Sequence, residues 1–442
     1  MQETTKTFWY VILVIVTILV LTYATVMIIP RSMKRRLFPR NQFGDKIVVS
    51  ADQTMGAINS SVSLNEHGDV LVATMKIKGV RTIVVMKRND TKKTYDVQQQ
   101  LVPSNQSVPA NAGNLVAALS ADGNTIIAGI QDQAGGQGKC WVYKNSNNTW
   151  TESANLLGTG ATGNSSQGNA VAISGDGRTM AVGGQTDDGN AGAVWVFYDN
   201  VQVGQKLVAT ATTNKALPGQ GYSVALSHSG RIMAVGSLGD SNGVGAVFLY
   251  APANGDSSSA SSSWKLLQKV IGSGMLPVNP TTGVTAFGGS ISLSRHGEYL
   301  VVGAANDDNG NGSVFTFKKE HHTDAWHQQG HKEFPKYGVF DNENIAYGNA
   351  VAVSLDGEIL AASANNDENV GGSDSIGATW ILMHHNDKWK LENKLVGTGY
   401  VRKSGAGVSQ GNFIALSGDG KTLAVCGSMD NSSVGAIWVF VN

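Results

Sequence analysis

The stretch Val171–Gly184 reads VAISGDGRTMAVGG and decides the fold, because the same pattern occurs seven times along the chain. Each copy has a short run of alternating large and small residues, a turn that ends in Gly, and a second apolar run. Such alternation on both sides of a Gly turn predicts a β-hairpin. The seven turn glycines recur at intervals of roughly 60 residues, which indicates a repeat array. They are Gly68, Gly123, Gly177, Gly230, Gly297, Gly357 and Gly420.

Each repeat continues with two further strands. A third strand follows a polar loop, as in AVWVFY (193–198), and a fourth strand often opens with Trp, as in WKLENKLVG (389–397). Four short strands separated by Gly, Asn and Asp are typical of a propeller blade. The chain of 442 residues contains 54 Gly and only 15% charged residues, as expected for an all-β chain with many turns. We therefore predict an all-β, seven-bladed β-propeller over residues 45–442.

The ends of the repeat region predict how the ring closes. The seventh repeat has only three strands before the chain ends at Asn442. Residues 45–50, DKIVVS, resemble the fourth strands of other repeats, for example NKLVG (393–397). We expect residues 45–50 to complete the last blade as its outer strand, which would join the two ends of the propeller and protect a sheet edge.

The N-terminal region differs from the repeats in composition. Residues 1–7 form a short tail, and residues 8–29 contain 22 consecutive uncharged, mostly apolar positions. That length predicts a single transmembrane helix. A signal peptide is the alternative, although its apolar region is usually shorter. Residues 30–44 form a basic juxtamembrane linker, so the membrane is an expected partner. Its cationic residues are Arg31, Lys34, Arg35, Arg36 and Arg40.

Two features of the sequence disagree about the orientation of this helix. The basic flank after the helix favours a propeller on the cytosolic side. Seven Asn-x-Ser/Thr sequons favour the outer side, where N-glycosylation takes place. These sequons begin at Asn59, Asn89, Asn105, Asn147, Asn164, Asn311 and Asn431. The side of the membrane on which the propeller lies stays open from the sequence.

The repeat resembles a known family. The pattern GNAVAISGDGRTMAVGG, with Phe287-Gly288 and Tyr347-Gly348 leading two other copies, resembles the FG-GAP type repeat. The resemblance covers roughly residues 57–442. It implies a propeller like the integrin α-chain head and a role in protein or ligand binding. Members occur in adhesion proteins, in bacterial exported proteins and in proteins of large DNA viruses.

Calcium-binding members of this family carry several acids in one turn, and this chain does not. The third turn position holds Asp in four copies, including Asp176, but His or Ser in the other three. Calcium needs six to eight oxygen ligands, which one variable acid cannot supply. A turn that requires a positive φ at its Gly explains the pattern instead. We expect no metal and no cofactor. The histidines in residues 318–334, His321, His322, His327 and His331, fit a solvated hairpin better than a metal site.

The loops between the second and third strands contain the candidate binding residues. In a propeller these loops share a face with the links between blades, so their acids could form an acidic rim. Ordinary loop chemistry is the alternative explanation for such Asp, Asn and Gly clusters. The candidate residues are Asp187, Asp188, Asp240, Asp307, Asp308, Asp367 and Asp430.

Charge and motifs narrow the function. Lys and Arg together number 33, as do Asp and Glu, so the sequence gives no indication of nucleic-acid binding. It contains no phosphate loop or metalloprotease motif. We expect a non-catalytic, membrane-anchored module that binds a protein or glycan partner. The alternatives are a structural membrane protein of a virion or similar particle, and a hydrolase or lyase with its site in the central channel.

Overall fold

Seven antiparallel sheets follow one another along the chain, one for each repeat. The computed structural model describes residues 37–50, 52–54, 61–106, 115–209, 218–255, 263–276, 284–320, 322–333, 344–367, 375–402 and 407–442. Within each sheet the strands of one repeat follow the chain order and are joined by hairpins, while a short N-terminal strand is added to the sheets of the first and last repeats. The protein is therefore an all-β, seven-bladed β-propeller, as the repeats predict.

The blades are numbered in chain order, and the bounds of their strands are as follows. Blade 1 contains Val62–Leu64, Val70–Ile77, Val80–Asn89 and Thr94–Leu101, with Gln53–Thr54 also pairing with its second strand. Blade 2 contains Leu115–Leu119, Thr125–Ile130, Lys139–Ser146 and Thr149–Leu156. Blade 3 contains Ala170–Ile173, Thr179–Gly184, Ala193–Tyr198 and Val201–Gln202. Blade 4 contains Gln220–Leu226, Met233–Ser237, Ala246–Pro252 and Trp264–Val270.

The remaining three blades repeat this arrangement. Blade 5 contains Phe287–Leu293, Tyr299–Ala304, Ser313–Lys319 and Trp326–Gln328. Blade 6 contains Tyr347–Val353, Ile359–Ala364, Ala378–His385 and Lys388–Leu395. Blade 7 contains Gln410–Leu416, Thr422–Gly427 and Ala436–Val441, with Asn41–Gln42 as its outermost strand.

The N-terminal segment thus enters the last blade. Asn41 pairs with Val441 and Gln42 with Phe440. Further along, the backbone N–H of Ile47 donates to the carbonyl of Ile437 at 2.8 Å. Regular strand pairing lies at residues 41–42, upstream of residues 45–50, while Ile47 forms an isolated bridge. Residues 38–442 make one compact unit. This unit starts before residue 45, the start expected from the repeat pattern. The reason is that residues 40–43 also hydrogen-bond the last blade.

The turns between the first and second strands confirm the interpretation made from the sequence. All seven turn glycines have positive φ, between 67° for Gly230 and 75° for Gly297. Gly is favoured there because it has no Cβ to clash in that conformation. In blade 3, Ser174 Oγ donates to Asp176 Oδ1 at 2.6 Å, and the N–H of Arg178 donates to the same oxygen at 3.1 Å. Asp176 therefore acts as a turn residue.

These same turns join the blades into a closed ring. In every blade the carbonyl of the second turn residue accepts a backbone N–H from the turn of the preceding blade, at 2.8 to 3.1 Å. The last link runs from the N–H of Asp419 in blade 7 to the carbonyl of Glu66 in blade 1. The seven carbonyls belong to Glu66, Ala121, Gly175, His228, Arg295, Leu355 and Gly418.

The hydrophobic core lies between neighbouring blades. One cluster, for example, combines Ile127 and Val142 of blade 2 with Met180, Val182 and Trp195 of blade 3. Trp195 is fully buried, as are the equivalent residues Trp141, Trp380 and Trp438. A Cβ on Gly158, just after the fourth strand of blade 2, would lie 2.0 Å from the Trp195 ring. This Gly therefore makes room for the indole of the next blade.

The predicted transmembrane segment, residues 8–29, lies outside the described residues, as do Arg31, Lys34, Arg35 and Arg36. No helix among the residues that the structure describes is long and apolar enough to cross a bilayer. Arg40 belongs to the propeller, where its guanidinium lies 4.0 Å from the centre of the Phe38 ring and its N–H donates to the carbonyl of Val441. Arg40 is therefore part of the folded domain.

Candidate functional site

One end of the propeller contains the loops between second and third strands, here named the loop face (described residues 131–138, 185–192, 238–245, 305–312, 365–367, 375–377 and 428–435). Five of the seven candidate acids on this face are buried. Each forms an ion pair with a lysine that lies in the outer strand of its own blade or shortly after it. The pairs are Asp187–Lys206 at 2.5 Å, Asp240–Lys269 at 2.6 Å, Asp307–Lys332 at 2.6 Å, Asp367–Lys394 at 2.7 Å and Asp430–Lys46 at 2.5 Å.

Three of these buried acids, Asp187, Asp307 and Asp430, also bind the chain that links one blade to the next. The N–H of Thr162 donates to Asp187 Oδ1 at 2.7 Å, and that of Val401 donates to Asp430 Oδ1 at 2.7 Å. Both donors lie in the links that precede these blades. A buried carboxylate must be paired and hydrogen-bonded to be tolerated, and both conditions are met. The five buried acids therefore have a structural role in blades 3 to 7.

The two remaining candidates, Asp188 and Asp308, lie at the surface of the loop face. Asp188 is exposed and Asp308 is half-buried. Both have left-handed backbone conformations, with φ of 49° and 50°, and the residue that follows each is left-handed as well. Asp and Asn tolerate this conformation better than most residues. Turn geometry thus explains the presence of both acids, and only these two of the seven leave their carboxylates accessible.

A cavity of about 450 Å³ lies on the propeller axis. Its walls come from the first halves of the innermost strands of all seven blades. The polar lining residues are Ser61, Asn169, Tyr222, Ser223, Ser290, Asn349, Asn365 and Asn412. Among the described residues that line it there is no Asp, Glu, His, Lys, Arg or Cys. The cavity wall is therefore polar and uncharged.

A repeated β-bulge places side chains in this cavity. In blade 4 the register shifts between Gln220 and Ser223, which leaves Gly221 and Tyr222 out of the pairing. Blades 5 and 7 show the same irregularity at Gly288 and Gly411, and blade 6 has a longer one, between Tyr347 and Val351, that includes Gly348. All four glycines have φ between 86° and 92°. A bulge of this kind redirects the following side chain, here toward the cavity.

Several lining residues also join neighbouring blades. Asn169 Nδ2 donates to the carbonyls of Gly221 and Tyr222, at 3.0 and 3.1 Å. Asn349 Nδ2 donates in the same way to the carbonyls of Gly411 and Asn412, at 3.1 and 3.0 Å. These amides are held in place by the bonds they make, so the cavity wall is rigidly built.

The opposite end of the axis, here named the turn face, contains the ring of turns and a small charged cluster. Arg295 Nη2 lies 2.7 Å from Glu66 Oε1, and His228 Nε2 lies 3.6 Å from Glu66 Oε2. Desolvation, reinforced by the positive charge of Arg295, lowers the pKa of His228 below its usual value, although Glu66 opposes the shift. Each side chain is partly buried. Sequence reasoning treated these positions only as turn residues.

Comparison with known proteins supports the fold. No protein-family model matches the chain, and no curated protein is similar to it. Among solved structures, the WD40 repeats of RRP9 are similar over 91% of this chain and 100% of that one, with 11% identity and a TM-score of 0.50. A functionally unknown protein from Desulfotomaculum acetoxidans DSM 771 is similar over 87% and 92%, with 12% identity and a TM-score of 0.52. At such identities the likeness shows the fold alone.

The class of protein is thereby defined: the chain is a seven-bladed β-propeller built from one repeat, with an uncharged axial cavity. The resemblance to the FG-GAP repeat is an interpretation of the sequence that these comparisons do not confirm.

Proposed function

We propose that the protein is a membrane-anchored, non-catalytic binding module that engages a protein or glycan partner through its loop face and axial cavity. The observation that carries the proposal is the uncharged cavity wall. A Ser nucleophile needs a base beside it, and the usual acids, bases and other nucleophiles are His, Asp, Glu, Lys and Cys. The described lining offers none of these, whereas amides, hydroxyls and aromatic rings are suited to recognition.

The propeller fold supports an interaction role, and the FG-GAP resemblance suggests adhesion as its form. Binding is tested with the full-length chain on arrays of immobilised glycans and displayed proteins. The double variant Asp188→Asn/Asp308→Asn removes the two accessible acids without touching a buried ion pair. A matched control, Asp90→Asn/Asp324→Asn, removes two exposed acids from hairpins outside the loop face. Loss of binding in the first variant alone supports the loop face, and equal binding by both variants contradicts its acidic rim.

The membrane anchor is proposed from residues 8–29 and is tested separately. We expect residues 1–40 to retain a fused soluble reporter in membranes after alkaline carbonate extraction. A soluble reporter would overturn the anchor. Glycan occupancy at the exposed sequons Asn147 and Asn164 decides the side of the membrane. Protease digestion of intact particles distinguishes an exposed binding module from an internal structural component of a virion.

A further inference from the structure

Two aromatic residues line the axial cavity from blades that are three places apart in the ring of seven. Tyr222 belongs to blade 4 and Phe413 to blade 7. Tyr222 is 39% exposed, which is unusual for a residue on the innermost strand. Its side chain makes no hydrogen bond to any residue within the described ranges. The bulge after Gly221 thus holds an aromatic ring and a free hydroxyl group at the cavity wall.

The polar groups around these rings are neutral donors and acceptors. Asn349 uses its amide nitrogen to join two blades, which leaves its carbonyl oxygen free among the described residues. The innermost strand of each blade pairs on one side only, so its other edge presents backbone N–H and C=O groups toward the axis. Serine hydroxyls occupy part of this edge, as when Ser61 Oγ accepts the N–H of Ala117. Edge groups that have no such partner among the described residues can hydrogen-bond a ligand.

This combination selects the chemistry of the ligand. A charged group would lose its hydration without gaining a partner of opposite charge on the cavity wall. A purely apolar ligand would leave the amides and strand edges unpaired. A neutral polyhydroxylated ring avoids both penalties. Its hydroxyls hydrogen-bond the polar groups of the wall, and its C–H face packs on an aromatic ring. The cavity of about 450 Å³ is large enough for such a ring.

We propose that the axial cavity binds a neutral sugar ring, such as the terminal residue of a glycan, with Tyr222 as its stacking platform. The inference rests on the proposed binding function and names the class of its ligand. Phe413 bounds the cavity from the far side, and Asn349 accepts a hydroxyl proton of the sugar.

The test uses the full-length chain, purified in a detergent that has no sugar headgroup. The probes are glucose, galactose, mannose, N-acetylglucosamine and N-acetylgalactosamine, followed by saturation-transfer NMR and titration calorimetry. We expect at least one of these sugars to bind, and Tyr222→Ala to weaken its affinity at least tenfold. Tyr222→Trp keeps a stacking surface and should retain most of the affinity. Leu266→Ala, which shortens an exposed side chain on an outer strand, serves as the control.

The outcomes separate this inference from the proposed function. Sugar binding that is indifferent to Tyr222→Ala overturns the cavity site, even though the protein is a glycan binder. Capture of a protein partner with no sugar bound overturns the inference and leaves the binding function intact. Binding of neither probes nor partners defeats both. Thermal unfolding of each variant checks that the fold is kept. We expect it to be kept, because Tyr222 lies outside every buried cluster of the described residues.

Discussion

Lys46 Nζ lies 2.5 Å from Asp430 Oδ2, although 384 residues separate the two in sequence. Asp430 is fully buried, and Lys46 comes from the N-terminal segment that completes blade 7. The equivalent pairs in blades 3 to 6 each join residues of a single repeat. The Lys46–Asp430 pair therefore performs the same task as the others and in addition links the two ends of the propeller.

Removal of one partner from this pair should strongly destabilise the protein. Asp430→Asn leaves the Lys46 ammonium without its counter-ion, and we expect a loss of about 3–5 kcal/mol in the free energy of unfolding. Denaturant unfolding of the full chain measures this loss. Asp187→Asn, which breaks the equivalent pair in blade 3, is the matched comparison. A loss below ~1 kcal/mol in both variants would show that these pairs are not stabilising contacts.

Closure of the ring should depend on the backbone of Ile47 as well. Ile47→Pro removes the N–H that donates to Ile437 at 2.8 Å, so the outer segment of blade 7 should detach. We expect a lower melting temperature and faster amide exchange along residues 436–441. Val48→Pro is the control, because the Val48 side chain is 42% exposed. Its N–H makes no backbone hydrogen bond in the described part of the chain. Similar melting of the two variants would contradict closure through residue 47.

Two alanines should gain stability on replacement by glycine. Ala286 and Ala346 both have φ of 60°, a conformation in which a Cβ is strained. They occupy the same place in blades 5 and 6, just before the innermost strand. We expect Ala286→Gly and Ala346→Gly each to stabilise the protein by roughly 0.5–1 kcal/mol, after the entropic cost of Gly is subtracted. Ala128→Gly, in a buried strand, should destabilise it.

The stability of blade 5 should depend on pH through Glu333. Burial raises the pKa of its carboxyl from the ordinary value to about 7. Since the folded pKa lies above the unfolded one, this group's contribution to stability is complete below about pH 4.5 and is lost as the pH rises toward 7. We expect Glu333→Gln to flatten the dependence of the unfolding free energy on pH between these values. Glu298→Gln, at an exposed position, should leave it unchanged. An unaltered slope in Glu333→Gln would refute the role of this carboxyl.

Much of the fold could be predicted from the sequence because its signals are local. A Gly with positive φ and an alternating pair of strands lie within about a dozen residues, and seven repetitions make that pattern unambiguous. Residues 45–50 were expected to close the ring because they resemble other outer strands. The stretch that resembles an outer strand includes Lys46, whose position matches that of Lys394 in blade 6.

The candidate site was harder to predict, because burial is not a local property. Asp187 and Asp188 are adjacent in sequence, yet the first is buried against Lys206 and the second faces solvent. Nothing in the two residues themselves distinguishes them. Blade 2 offers a clue that could have been used: at the positions of Asp187 and Lys206 it has the neutral residues Gln133 and Asn155. Simultaneous loss of both charges suggests that the two positions are in contact.

The hydrogen-bonded ring on the turn face has a consequence for how such chains diverge. Each link uses only the main-chain carbonyl and N–H groups of the turns. A substitution at a donor position, other than to Pro, therefore keeps the donor and the acceptor of the link. The second turn position already holds Glu66, Ala121, Gly175, His228, Arg295, Leu355 and Gly418 in one molecule. Mutations can accumulate at this position while the architecture persists, so a contact such as Glu66–Arg295 can arise there between the turns of two repeats.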